Sequence, residues 1–226
     1  MATKSGFLRK KVPSTVPTKT AKLVRRVLAI EGMLTGDEAK ELIRLAAQVD
    51  EDSCVLEVGS YRGRSTTALA FGAKIGGNAP VYAIEPHEQF FGLMGGRFGP
   101  ADRLAFFRNL VKAEVVEQVR LVNLSSEVVS KGWSRPIGML WLDGDHSFDG
   151  VTRDFEAWAP FLVPEAVVAF HDAQDPTLGP RQVIDRLLAD GDYEQFSAVD
   201  QLVALRKRNM QRRALRRTAE PTLGDL

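Results

Sequence analysis

Two short segments of the sequence place charged and ionisable groups directly after runs of apolar residues. The segment Asp143-Gly144-Asp145-His146 follows the run at 139–142, and His171-Asp172 follows the run at 166–170. The chain contains only three histidines, and two of them lie in these segments. A buried run that ends in carboxylates and an imidazole is costly unless these groups bind something. Because an imidazole has an ordinary pKa near ~6.5, the segments indicate a binding site that could also transfer protons near neutral pH.

The elements that must position these segments follow from an alternation of apolar runs and helical patterns. Such an alternation is typical of βαβ units and of a parallel sheet that is covered on both faces. We predict a single α/β domain with a Rossmann-like, doubly wound sheet, mostly parallel with a C-terminal antiparallel strand. The predicted strands are 53–58, 81–84, 119–122, 137–142, 166–170, 194–199 and 202–205. The predicted helices between them are 65–74, 101–113, 126–131, 150–162 and 182–190.

Two helices are predicted before the first strand. Residues 21–30 repeat apolar side chains at helical spacing, and Thr35 followed by Glu38 has the spacing of a capping box that opens a helix through about residue 49. In a doubly wound sheet the ligand lies beyond the carboxyl ends of the strands. The functional interpretation therefore rests on the segments at the ends of the first five strands, and each of these five segments contains polar residues.

The turn after the first predicted strand, VLEVGSYRGRST, suits a small ligand that carries both charges. Gly59 and Gly63 allow a tight turn, and the helix that begins near Ser65 offers backbone N–H groups to an anion such as a carboxylate. Glu57, just before the turn, would repel a pyrophosphate but would suit an amine or a sulfonium. Glu85 follows the second strand and is placed to accept hydrogen bonds from ribose hydroxyls.

These motifs resemble those of the class I S-adenosylmethionine-dependent methyltransferases over about residues 33–207. The closest resemblance is to the small metal-dependent O-methyltransferases, in the catechol and the bacterial macrolide-sugar branches. The resemblance implies that the first motif, which includes Ser60, cradles the methionine part of the cofactor, and that Ser126, in the segment that begins at Asn123, contacts the adenine. It also implies that Met33 and Thr35 lie in a segment that closes over the cofactor. The cofactor-binding residues so predicted are Glu57, Gly59, Ser60, Tyr61, Gly63, Ser65, Glu85, Ser126 and Asp143.

The same resemblance assigns roles to the two charged segments. It implies that Asp143 is a metal ligand, that His146 is the catalytic base, and that His171 and Asp172 complete the metal site. Mg²⁺ is the expected ion, but His171 departs from the acidic or amide residue that the family usually has there, and an imidazole favours other divalent ions. His171 could instead contact the substrate or orient Asp172. Asp145 is interpreted as a local turn residue.

The segment 85–103 is rich in glycine and phenylalanine and is too long for a tight connection. Its apolar residues could line an acceptor pocket or simply pack as a surface loop: Phe90, Phe91, Met94 and Phe98. His87 and Arg97 are weaker candidates for substrate contact. The single cysteine, Cys54, begins an apolar run and is interpreted as a buried structural thiol.

Composition limits the partners and the location. The chain has 226 residues, 44% of them hydrophobic, and no run approaches the roughly 18 residues of a membrane span. Residues 1–26 hold eight basic and no acidic residues, residues 206–226 hold seven basic and two acidic ones, and the middle holds 15 basic and 27 acidic ones. We predict a flexible basic arm at 1–19, a methyltransferase domain at 20–207 and a basic tail at 208–226. We expect a cytoplasmic protein without nucleic-acid binding or stable membrane insertion.

The predicted activity is methylation of a hydroxyl group on a small molecule or sugar, assisted by a metal ion. One alternative is a metal-dependent hydroxylase or hydrolase on the same fold, which would use Asp143, His171 and Asp172. Another is a subunit that binds the cofactor without catalysis and docks through its basic ends. A homodimer through the N-terminal helices is a further hypothesis.

Overall fold

The computed structural model describes the backbone of residues 17–209 and the side chains of residues 20–209. The helices, in chain order, are α1 (Pro17–Leu28), α2 (Gly36–Ala46), α3 (Arg64–Ile75), α4 (Pro100–Lys112), α5 (Ser126–Val129), α6 (Phe148–Trp158) and α7 (Gly179–Asp190). The strands are β1 (Cys54–Val58), β2 (Val81–Ile84), β3 (Phe90–Phe91), β4 (Arg97–Phe98), β5 (Val119–Val122), β6 (Ile137–Leu142), β7 (Leu162–Phe170), β8 (Tyr193–Val199) and β9 (Leu202–Lys207).

Seven of these strands form one sheet in the order β5-β2-β1-β6-β7-β9-β8. The first five strands along this order are parallel, whereas β9 runs antiparallel to β7 and pairs with β8 in a hairpin. The predicted α/β fold with an antiparallel C-terminal strand is therefore confirmed. Strand β7 is longer than predicted, since it begins at Leu162 rather than at residue 166.

The sheet is covered on both faces, as the continuous apolar strands require. Alternate side chains of β1 point to opposite faces: Val55 packs with α2 and α3, and Leu56 packs with α6 and α7. Trp141 and Trp158 are fully buried, one in each of these two cores. Cys54 is also fully buried, and burial raises the pKa of its thiol to about 12, so it is the inert structural thiol that was expected.

The N-terminal helices pack on the face that carries α3. The predicted capping box is present, because the Glu38 N–H donates to the Thr35 hydroxyl at 3.2 Å and the Thr35 N–H donates to the Glu38 carboxylate at 2.8 Å. Helix α1 begins at Pro17, and most of the predicted arm and tail lie outside the described residues. Among residues 17–209, no helix is both long and apolar enough to cross a membrane.

The segment between β2 and α4 contains a small antiparallel ladder, β3-β4, which the sequence pattern did not predict. Most of its apolar side chains face solvent: Phe90, Phe91 and Met94 are 44%, 61% and 59% exposed. Phe98 is the exception, since its ring meets the Tyr61 ring edge-on at 5.2 Å between centroids. The ladder is therefore an exposed hairpin beside the first glycine turn rather than a closed apolar pocket.

Candidate active site

The segments that follow β1, β2, β5, β6 and β7 all leave the sheet at the same edge. The chain passes from β1 outward to β2 and β5 on one side, and from β6 to β7 on the other. The order therefore reverses between β1 and β6, which is where open α/β sheets form a ligand crevice. Asp143 N–H donates to the Val58 carbonyl at 2.9 Å and His171 N–H donates to the Leu142 carbonyl at 3.1 Å, so the polar segments begin side by side.

The turn after β1 has the tight, strained backbone that its glycines suggested. Gly59 and Gly63 have φ values of 83° and 86°, and Tyr61 between them has a φ of 45°. A methyl group on Gly59 would overlap the carbonyl of Asp143, so glycine is required for the close approach of the two segments. Gly63 caps α3 without any side-chain hydrogen bond. The first N–H groups of α3 are therefore left for a ligand, as an anion site requires.

Glu57 is the fully buried acid at the start of this turn. Its two carboxylate oxygens accept hydrogen bonds from the hydroxyls of Ser65 and Thr66, each at 2.5 Å. Burial opposes its charge more strongly than these hydrogen bonds favour it, and the pKa of Glu57 is raised to about 8. Ser60, two residues beyond β1, is 2% exposed, and its hydroxyl has no hydrogen-bond partner among residues 20–209. An unpartnered buried hydroxyl in this turn is available to a ligand.

Glu85 lies beside the same turn. One of its carboxylate oxygens accepts hydrogen bonds from the backbone N–H groups of Ser60 and Tyr61 at 3.1 and 3.2 Å, and the other accepts one from the N–H of His87 at 3.0 Å. Glu85 is half-buried. A carboxylate has about four acceptor positions, so these contacts fix its orientation without exhausting its capacity for ribose hydroxyls.

His87 was a weak candidate for substrate contact, and the structure gives it different surroundings. The side chain is 4% exposed, its Nε2 lies 2.9 Å from the carbonyl of Tyr61, and Asn123 donates to its Nδ1 at 3.0 Å. The carbonyl can only accept, so Nε2 donates a hydrogen bond to it, while Nδ1 accepts one from the amide of Asn123. His87 therefore ties together the segments after β1, β2 and β5. The sequence offered no signal for this role beyond the polar character of Asn123.

Four side chains from the segments after β6 and β7 converge at the crevice: Asp143, His146, His171 and Asp172. One potential ligand atom from each lies within 4.8 Å of all the others. Nε2 of His146 is 2.9 Å from Oδ2 of Asp172 and 3.7 Å from Oδ1 of Asp143. Nδ1 of His171 is 3.2 Å from Oδ1 of Asp143 and 3.3 Å from Oδ2 of Asp172. The predicted base and the three predicted metal ligands thus occupy one cluster.

The electrostatics of this cluster are dominated by its carboxylates. Burial lowers the pKa of His171, but Asp143, Asp172 and Glu38 outweigh it and raise that pKa to about 12. The same competition between burial and the nearby Asp172 and Asp143 raises the pKa of His146. The two imidazoles in turn lower the pKa of Asp172. The site therefore holds concentrated negative charge that attracts a cation, whether a proton on imidazole or a metal ion.

Local backbone contacts hold the segment after β6 in place. Oδ1 of Asp145 accepts a hydrogen bond from the N–H of Ser147 at 2.9 Å, and Ser147 caps α6. The carbonyl of His146 accepts one from the N–H of Gly179 at 2.8 Å. Asp172 has a φ of 47°, so it shares with Tyr61 and His87 a left-handed backbone just after a strand. Asp145 is the turn residue that was expected, and strained residues cluster at functional sites.

The predicted adenine end and the predicted cover segment both border the crevice. Ser126 is 3% exposed at the start of α5, its hydroxyl has no hydrogen-bond partner among residues 20–209, and burial raises the pKa of the nearby Asp154 to about 6. On the other side, the Tyr61 hydroxyl donates to Glu31 at 3.2 Å, and the Arg64 side chain donates to the carbonyl of Leu34 at 2.9 Å. The segment with Met33 and Thr35 is thereby held against the glycine turn.

Comparisons with known proteins agree with this architecture. A family model described as a methyltransferase domain matches residues 56–173, which is just over half of the chain and spans the turn after β1 through the segment after β7. TomG from Streptomyces achromogenes, an O-methyltransferase of tomaymycin synthesis solved in complex with SAM, has 17% identity and a TM-score of 0.60, covering 84% of this chain and 88% of that one.

Two further solved structures give similar values. An O-methyltransferase from Bacillus cereus in complex with SAH has 17% identity and a TM-score of 0.60, covering 87% of this chain and 93% of that one. CalS11, a TDP-rhamnose 3′-O-methyltransferase of calicheamicin biosynthesis, has 15% identity and a TM-score of 0.55, with coverages of 85% and 95%. At these identities the structures show a common fold. The family model confirms the resemblance to methyltransferases, and the chain belongs to the methyltransferase-domain family.

Proposed function

We propose that this methyltransferase transfers the methyl group of S-adenosylmethionine to a hydroxyl group on a small molecule or sugar, with the help of a divalent metal ion. The observation that carries the proposal is the convergence of Asp143, His146, His171 and Asp172 at the edge that also holds the glycine turn. TomG and CalS11, which share the fold, are named as O-methyltransferases, and CalS11 acts on a sugar nucleotide. A homodimer and a cytoplasmic location stay predictions from the sequence.

The residues around the crevice fit S-adenosylmethionine. Bound there, it would supply an electrophilic methyl group on a sulfonium. The open N-terminus of α3 and the unpartnered hydroxyl of Ser60 would hold the methionine part of the cofactor. Gly59, Tyr61 and Gly63 would line the same part, and Glu57 would support the turn through its hydrogen bond from Ser65. Glu85 would accept hydrogen bonds from the ribose hydroxyls of the cofactor, and Ser126 would border the adenine. Asp143 would close the crevice on the side of β6.

The donor set also fits a divalent metal ion. Asp143 and Asp172 offer oxygen atoms and His171 offers Nδ1, a mixed set that suits Mn²⁺, Fe²⁺, Co²⁺ or Zn²⁺ better than the Mg²⁺ first expected. A metal ion bound there would lower the pKa of the acceptor hydroxyl. His146, at the edge of the cluster, would take the proton from that hydroxyl on Nε2, leaving the oxygen free to accept the methyl group.

Turnover measurements with the metal and the cofactor varied independently test this proposal. Purified protein stripped with EDTA would be assayed for S-adenosylhomocysteine formation on a panel of phenols, sugar nucleotides and glycosylated metabolites, with Mg²⁺, Mn²⁺, Co²⁺ or Zn²⁺ restored one at a time. We expect turnover that requires both S-adenosylmethionine and a metal. Metal-dependent consumption of an acceptor without S-adenosylmethionine would instead favour the hydroxylase or hydrolase alternative. If calorimetry detects no binding of S-adenosylmethionine or S-adenosylhomocysteine, the proposal is wrong.

A further inference from the structure

Glu38 was expected only to complete a capping box, but its carboxylate reaches the metal-site cluster. The residue is fully buried on α2. One carboxylate oxygen accepts the N–H of Gln201 at 2.8 Å, from the turn between β8 and β9. The other accepts the N–H of Thr35 at 2.8 Å and lies 3.5 Å from Nε2 of His171. Two backbone groups therefore fix the carboxylate from two sides and point it at one ring nitrogen of His171.

We propose that Glu38 is a positioning residue that holds the proton of His171 on Nε2 and so presents Nδ1 to the metal site; this inference rests on the metal-assisted function proposed above. The two nitrogens of the ring face different partners. Nδ1 lies between Asp143 and Asp172 at 3.2 and 3.3 Å, whereas Nε2 is buried, has no hydrogen bond among residues 20–209 and lies 3.5 Å from the Glu38 carboxylate. A neutral imidazole has one donor and one acceptor nitrogen. Nδ1 must lose its proton to bind a metal ion between Asp143 and Asp172, and Glu38 would then hold the remaining proton on Nε2, which keeps the lone pair of Nδ1 directed at the ion.

Helix α2 itself provides a comparison that separates this role from simple burial of an acid. Glu41, three residues after Glu38, is 8% exposed and has its own cation, since it forms a bidentate ion pair with Arg44 on the same helix. The ion pair of Glu38 is instead with His171, in the segment after β7 rather than on α2. Capping of α2 requires only the hydrogen bond from Thr35 and does not explain the ion pair of Glu38 with His171. Glu41→Gln is therefore a matched control.

Titration with zinc alone, followed by calorimetry, tests the proposal on the full-length protein. We expect Glu38→Gln to weaken zinc binding by about 10–100-fold, as loss of a residue that orients a metal-binding histidine does. Glu41→Gln should bind zinc as the wild type does. Equal affinities of Glu38→Gln and wild type would overturn the inference and leave the metal site intact. Absence of zinc binding by the wild type would overturn both the inference and the metal part of the proposed function. Binding of S-adenosylmethionine would then still test the methyl-transfer part.

A spectroscopic measurement on the wild type does not depend on the folding of any variant. Because the chain has only three histidines, long-range ¹H–¹⁵N spectra of the ¹⁵N-histidine protein can be assigned with His87 and His146 variants. With zinc bound, we expect His171 to show a protonated Nε2 and a metal-bound Nδ1. A protonated Nδ1, either in the opposite tautomer or in a doubly protonated ring that occupies the metal position itself, would overturn the inference.

Discussion

At the scale of single residues, the candidate site contains two histidines that differ in exposure and in the number of acids around them. The side chain of His171 is 6% exposed and enclosed by three acids, whereas the side chain of His146 is 15% exposed and lies at the edge of the cluster. A base must reach the substrate and must also be able to lose its proton again. The pKa of both rings is raised, but His146 is the more exposed of the two, and the enclosure of His171 by three acids suits a ligand or a fixed charge better than a base.

Replacement of His146 separates catalysis from cofactor binding. We expect His146→Ala to lower kcat by about 10²–10⁴-fold, the usual contribution of a general base, while the Kd for S-adenosylmethionine stays within about twofold. The neighbouring Asp145→Asn is the control, because an amide oxygen can still accept from the N–H of Ser147 and its kcat should change little. Steady-state kinetics and calorimetry on both variants check this. Unchanged turnover in His146→Ala would remove His146 from the mechanism.

Glu57 makes the stability of the protein depend on pH. Its pKa is raised to about 8 in the folded protein, above the 4.5 of an unperturbed glutamate, so the folded state favours the protonated acid. Its contribution to stability is fully present below about pH 4.5 and is lost as the pH rises through about 8. Glu57→Gln mimics the protonated acid and should lack this loss. The wild type should therefore lose stability relative to the variant by up to a few kcal/mol over this range, at ~1.4 kcal/mol per tenfold change in proton affinity.

Urea unfolding at several pH values measures this difference. Glu117→Gln is the control, since Glu117 is exposed and its replacement should leave the pH dependence of the unfolding free energy unchanged. Parallel curves for the wild type and Glu57→Gln would show that Glu57 titrates normally in the folded protein.

At the scale of elements, the site depends on how closely the turn after β1 approaches the segment after β6. Gly59 combines two requirements, a φ of 83° and close approach of its Cα to the backbone of Asp143. Gly191, which ends α7, has nearly the same φ of 79°, but a methyl group added there would meet no atom within 4 Å. Comparison of the two glycines therefore separates the free-energy cost of an alanine with positive φ from the cost of its clash with Asp143.

Alanine substitutions at both glycines test the importance of this contact. We expect Gly191→Ala to cost about 1–3 kcal/mol of stability, the ordinary cost of a left-handed alanine, and to leave S-adenosylmethionine binding unchanged. Gly59→Ala should cost more, and it should weaken S-adenosylmethionine binding by at least about tenfold because the segments after β1 and β6 must separate. Chemical denaturation and calorimetry distinguish the two. Equal effects of the two substitutions would show that the close approach does not matter.

The elements also show why some features were predictable from the sequence and others were not. Strands such as β6, Ile-Gly-Met-Leu-Trp-Leu, are continuous apolar runs that end in charge, so the seven strands of the main sheet, their order in the chain and their polar ends were predictable. The β3-β4 ladder has only two residues per strand, which is too short for any alternation to appear. Glu38 meets His171 in the segment after β7, and His87 meets Tyr61 in the turn after β1, and local patterns carry no information about such long-range pairs.

At the scale of the whole molecule, the crevice lies where segments from the two faces of the sheet meet, and each face has its own hydrophobic core. Helices α2 and α3 pack on one face of the sheet, and α6 and α7 pack on the other. The turn before α3 and the segment before α6 meet at the sheet edge, where Gly59 touches Asp143. A ligand that bridges these two segments would therefore stabilise the molecule as a unit rather than one helix layer.

This arrangement predicts a thermal shift on cofactor binding. A ligand at 100 times its Kd that binds only the folded state adds about 2.7 kcal/mol, and for a chain of this size each kcal/mol raises Tm by roughly 2–4 °C. We therefore expect S-adenosylmethionine or S-adenosylhomocysteine to raise Tm by about 5–10 °C in scanning calorimetry. Glu85→Ala, which removes the acceptor for the ribose and the anchor of the Ser60 and Tyr61 N–H groups, should abolish the shift, whereas Glu117→Ala should retain it. A shift that survives Glu85→Ala would place the cofactor elsewhere in the molecule.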